Sequence, residues 1–92
     1  MAAAIGHRQK ARDLLAQGKL EEALIEAQRA VELAPTAVAP NVGLGDVLAA
    51  LNRKDQARAA YEQALKSAQT IHPEFQSGWI PGIEKKLANT KS

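Results

Sequence analysis

No cysteine occurs among the 92 residues, so disulfides, thiolate zinc sites and cysteine nucleophiles are excluded and stability has to come from packing. Aromatic residues are nearly as scarce, with one Phe, one Trp and one Tyr. Because 46% of the chain is apolar, its core must be built from Ala, Leu, Ile and Val, which suits closely packed helices. A chain of this length forms one domain at most. No apolar run approaches the roughly 20 residues needed to span a bilayer. The opening stretch from Met1 to Arg8 lacks the basic-then-apolar order of a secretory signal. The expectation is a soluble chain, cytoplasmic by default, with no direct membrane insertion.

Charge of either sign is not concentrated. Twelve basic and 10 acidic residues leave a formal charge of +2, far from the field of a dedicated nucleic-acid binder. Lys85, Lys86 and Lys91 make the C-terminal end basic, but no aromatics interleave with them, and cations near a helix C-terminus complement its dipole. Nucleic acid is therefore not an expected partner. His7 and His72 stand far apart, outside any metal-spaced pair, and read as surface histidines. Glu21 and Glu22 look like paired carboxylates, yet acidic residues in a first helical turn complement the positive end of the helix. Gly43, Leu44 and Gly45 have no strand before them and no Gly-Lys-Ser/Thr after them, so they do not form a phosphate loop. Gly45 is better explained by close helix packing. Gly43, an interior helical glycine that costs about 1 kcal/mol relative to alanine, is less easily explained. Neither a catalytic constellation nor a cofactor nor a metal is expected.

What is present is a repeat. An offset of 34 residues places Ala11 on Gly45, Leu14 on Leu48, Gly18 on Asn52, Ala23 on Ala57, Ala27 on Tyr61, Ala30 on Ala64 and Val31 on Leu65. Small positions mostly meet small ones, and large aliphatics meet large aliphatics. Ala23, Leu24, Ala27, Ala30 and Val31 fall at three- and four-residue steps and form one apolar helical stripe, repeated by Ala57, Tyr61, Ala64 and Leu65. Glu22, Glu26, Gln28, Arg29 and Glu32, then Arg58, Glu62, Gln63 and Lys66, describe solvated faces. Gly18 and Asn52 share tolerance of the left-handed conformation that ends a helix. Pro35 closes the second helix, and Pro40 sits in the first turn of the third. These signals predict helices over about 4–17, 20–34, 39–51, 55–71 and 80–90.

At this point the chain resembles the tetratricopeptide repeat (TPR) family, whose 34-residue helix-turn-helix unit has small residues at fixed packing positions. Ala11, Leu14, Gly18, Leu20, Ala23, Ala27, Ala30 and Pro35 match that pattern in the first unit, and Leu44, Gly45, Leu48, Ala57, Tyr61 and Ala64 in the second. The resemblance implies an all-α, right-handed α-solenoid of antiparallel helix-turn-helix repeats with about five helices. The chain then divides into repeat 1 over about 4–37, repeat 2 over about 38–72 and a capping helix over about 80–90. His7 and Lys10 stand where the family usually has an aromatic and a leucine. Gln69 replaces the second unit's terminal proline, so the fourth helix is expected to run about one turn longer, to the vicinity of Pro73. Ile80, Ile83 and Leu87 form the cap's apolar stripe, and Trp79, beside Pro81 and close to Phe75, reads as a plug of the junction, with ligand stacking as the alternative.

The resemblance also implies a function. In TPR arrays the first helix of each hairpin lines a concave surface that receives peptides. Carried over to this chain, the groove positions are Ile5, Arg8, Arg12 and Leu15, then Val42, Gly43, Asp46 and Ala49. Arg8 and Arg12, four apart, project from one face and suit a carboxylate-bearing peptide, although they equally fit a solvated surface. The lysine and asparagine of the family's carboxylate clamp are replaced by Arg8, Arg12 and Gly43. The leading expectation is a protein-interaction scaffold that binds a partner's peptide, not an enzyme. The alternative is a structural spacer or homodimerisation element, since two repeats are fewer than independent stability normally wants.

Overall fold

A computed structural model describes residues 2–70 and 73–90, and the side chains of residues 2–5, 8, 73–75 and 77 lie outside that description. Five helices follow one another: α1 (Ala2–Ala16), α2 (Leu20–Leu33), α3 (Val38–Ala50), α4 (Lys54–Ala68) and α5 (Pro73–Thr90), with no strand among the described residues. α1 pairs with α2 and α3 with α4. α3 also touches α1 and α5, whereas α2 and α4 do not touch each other. The result is two layers, α1, α3 and α5 in one and α2 and α4 in the other. The thinnest dimension is 18 Å, about the thickness of two helices.

The two hairpin turns are built alike. After α1, the Gly18 amide donates to the Leu15 carbonyl at 3.0 Å and the Lys19 amide to the Leu14 carbonyl at 2.9 Å. After α3, the Asn52 amide donates to the Ala49 carbonyl at 3.0 Å and the Arg53 amide to the Leu48 carbonyl at 2.9 Å. Both are Schellman closures, which need a left-handed residue. Gly18 supplies it at φ 78° and Asn52 at φ 62°, the two residues matched by the 34-residue offset. The turn between the hairpins is secured differently. Buried Asn41 donates through Nδ2 to the Pro35 and Ala37 carbonyls, each at 2.9 Å. Pro40 lies in the first turn of α3, where its missing donor matters little.

Nine of the fifteen buried apolar residues among those described are alanines, so cohesion comes from close helix approach more than from large side chains. Tyr61, 3% exposed, is the main exception. Its ring occupies the space beside Gly45, where an added Cβ would stand 2.5 Å from it. Ile83, 2% exposed, brings α5 onto the core, with Ile80 and Leu87 partly buried beside it.

Several sequence expectations change at this level. α4 ends at Ala68 instead of running a turn longer. α5 begins at Pro73, not near residue 80, because proline is pre-organised for a first helical position, where it has no amide bond to lose. Glu26 is 8% exposed, not solvated, because His7 and Lys10 reach it from α1. His7 Nδ1 lies 2.6 Å and Lys10 Nζ 3.6 Å from its carboxylate. His7 is accordingly a half-buried partner, not a surface histidine. Arg58 also turns inward, donating from Nη2 to the Thr90 carbonyl at 3.1 Å, a cation at the negative end of α5. His72, Lys91 and the Phe75 side chain lie outside the described residues.

Candidate functional site

The α1, α3, α5 layer carries a cavity of about 350 Å³. α1 contributes Arg12, Leu15 and Ala16, α3 contributes Ala39, Val42, Gly43 and Asp46, and α5 contributes Trp79. The three- and four-residue spacings on α1 and α3 put these side chains on one face of each helix. Five of the sequence-derived groove residues, Arg12, Leu15, Val42, Gly43 and Asp46, therefore line one cavity. Ile5 and Arg8 belong to α1, but their side chains lie outside the described residues. Ala49 does not join the cavity. It lines a second one of about 230 Å³ with Lys54, Tyr61, Lys86, Asn89 and Thr90.

Between the two cavities stands a three-residue cluster. Asp46 Oδ1 accepts from the Tyr61 hydroxyl at 2.6 Å and from Lys86 Nζ at 2.7 Å. The Lys86 ammonium lies 5.9 Å from the centre of the Tyr61 ring, within range of a cation–π contact. Burial and the Asp46 carboxylate push the Tyr61 hydroxyl far above its ordinary pKa, since each opposes a phenolate there. Asp46 is thus already matched by a cation. Arg12 is not: it is exposed, and no hydrogen bond or ion pair engages it among the described residues. The cavity offers one uncommitted positive charge, an apolar floor and an indole wall.

Sequence reasoning missed Lys86, Ala16 and Ala39 at these sites and gave Trp79 first as a plug, with ligand stacking the lesser reading. Lys86 stands 40 residues from Asp46, and no local pattern links them. The heptad-like register of α3 could have found Ala39, which lies one turn before Val42 and Gly43. No group of three or more His, Asp or Glu residues placed to hold a metal occurs among the described residues. Nor is any described helix long and apolar enough to cross a membrane.

Comparison with curated proteins finds no match. A family model described as tetratricopeptide repeat matches residues 14–78, more than two thirds of the chain. That span takes in both Schellman turns and the Gly45–Tyr61 contact, and it ends one residue before Trp79. The chain belongs to the tetratricopeptide repeat family.

Proposed function

We propose that the chain holds a segment of a partner polypeptide against the α1, α3, α5 face, with an acidic group of that segment on Arg12 and an apolar side chain against Leu15, Val42 and Trp79. Tetratricopeptide repeats are in general protein–protein interaction modules and typically not enzymes. The supporting observation is the unequal commitment of the two charges in the cavity. Lys86 and Tyr61 already satisfy Asp46, so Arg12 decides the sign of the ligand. Gly43 leaves room for backbone approach, since a Cβ there would meet nothing within 4 Å.

The test is an amide-shift titration of the 15N-labelled chain with pooled ten-residue peptides, one pool acidic and one basic. Acidic peptides are expected to shift Leu15, Val42, Gly43 and the Trp79 indole. Arg12→Ala is expected to weaken them by about 1–2 kcal/mol, roughly five- to thirtyfold. Silence at all four positions in both pools would sink the reading.

Self-association is the second reading. Ile25 and Leu33 on α2 are 50% and 51% exposed, and burying them in a second copy would remove apolar surface from water. Sedimentation across a hundredfold dilution decides it: a concentration-independent monomer, unchanged in Ile25→Lys/Leu33→Lys, rules this out.

A further inference from the structure

Two glycines of this chain have clear conformational reasons. Gly18 needs its positive φ, and Gly45 lacks a Cβ because Tyr61 fills the space. Gly78 and Gly82 have neither reason. Both are exposed, neither has a positive φ, and a Cβ at either would meet nothing within 4 Å. Between them Pro81 stands inside α5. It has no amide proton, so the carbonyl of residue 77 loses its helical donor. Three helix-weakening residues thus fall within positions 78–82 with no packing requirement for any of the glycines.

The weak point and the half of α5 beyond it differ. Beyond it, Ile83 is 2% exposed, Lys86 bonds to Asp46 at 2.7 Å, and Arg58 holds the Thr90 carbonyl at 3.1 Å. That half is fastened to α3 and α4. Within the weak point lies Trp79, half-buried, the contribution of α5 to the larger cavity.

We propose that the turn of α5 carrying Trp79 is a hinged wall. It pivots at Gly78, Pro81 and Gly82 against the fixed half that starts at Ile83, and so sets the width of the cavity. The width-setting role rests on the peptide-holding reading above, whereas the pivot itself does not.

The single tryptophan makes the pivot directly observable. In the peptide-free 15N-labelled chain, relaxation dispersion and amide exchange are measured at Gly78, Trp79, Ile80 and Gly82 and compared with Glu84, Lys85, Lys86 and Leu87. Microsecond-to-millisecond exchange is expected at the first set and at the Trp79 indole, with amide exchange at least about tenfold faster than at the second set. The Gly78→Ala/Pro81→Ala/Gly82→Ala chain is expected to lose the dispersion and to show even protection along α5. Uniform protection in the wild type, or dispersion that survives the three substitutions, overturns the hinge. A further arm titrates both chains with acidic ten-residue peptides carrying central Val or Phe. The stiffened chain is expected to lose at least about fivefold in relative affinity for Phe, by the arithmetic of differential binding. Equal discrimination by the two chains overturns the width-setting role. Binding of neither peptide by either chain overturns the peptide-holding reading and the width-setting role with it, and leaves the pivot to stand on the dynamics.

Discussion

Tyr61 fills the space that a side chain at position 45 would need, since a Cβ on Gly45 would stand 2.5 Å from its ring. The ring is held there by its hydroxyl, which donates to Asp46 at 2.6 Å, one residue further along α3. Gly45→Ala must therefore displace an anchored ring. Overpacking of this kind costs about 1–3 kcal/mol and outweighs the helix-propensity gain of about 1 kcal/mol. Urea denaturation is expected to show a lower midpoint, partly restored when Tyr61→Leu is added. An unchanged midpoint would mean that the two helices are not in close contact here.

Gly43, two residues earlier, behaves oppositely. A Cβ there meets nothing within 4 Å, so Gly43→Ala is expected to stabilise the fold by up to about 1 kcal/mol. The same methyl enters the Arg12 cavity and is expected to weaken acidic peptides. Thermal melts and the peptide titration together check this, and a stabilised chain with undiminished binding would remove Gly43 from the site.

Tyr61, the chain's one tyrosine, has its pKa raised by burial first and by Asp46 second, from an ordinary value of 10.0. A group whose folded pKa is raised leaves stability intact below its unfolded pKa, and stability falls as pH rises past that value. Phenolate absorbance is therefore expected to stay low above pH 10 until the helices unfold, and then to rise together with the loss of circular dichroism. Phenolate appearing near pH 10 in a still-helical chain would contradict the Tyr61–Asp46 bond.

Glu26 titrates in the other direction. The hydrogen bond from His7 is the main influence that lowers its pKa below 4.5, with Lys10 and Arg29 adding to it against an opposing effect of burial. Stability from this carboxylate is present above pH 4.5 and is lost as pH falls through the lower folded value. Melting temperature plotted from pH 6 to pH 3 is expected to drop less in Glu26→Gln than in the wild type. Parallel curves would show that the α1–α2 bridge contributes nothing.

Much of the fold is legible in the sequence because its determinants are local or strictly repeated. Gly18 and Asn52 are the residue types that tolerate a positive φ, and the 34-residue offset says that they do the same work. Gly45 is legible as a position of close helix packing, but that the Tyr61 ring fills the space beside it is seen only in the folded chain. The start of α5 is not, because Pro73 signals the end of one helix and the beginning of the next equally well. Glu26 and Arg58 were misplaced on polar faces, since a long charged side chain at the edge of a stripe turns inward only when a neighbouring helix supplies a partner. For Glu26 that partner is 19 residues away, and for Arg58 it is 32.

The candidate site divides in the same way. The family resemblance placed Arg12, Leu15, Val42, Gly43 and Asp46 in one groove, whereas spacing by itself set only Arg8 and Arg12 on a common helical face. Whether Asp46 is free or committed could not be read, nor that Ala49 opens onto a different cavity. Helix periodicity and backbone conformation are set over three or four residues, so this sequence by itself determined the helices, their hairpin turns and the apolar faces that meet. Charge pairing across helices depends on distances fixed only once the layers stack. The tertiary structure therefore decided that Lys86 neutralises Asp46, that Arg12 has no partner among the described residues, and that Trp79 becomes a wall of the cavity.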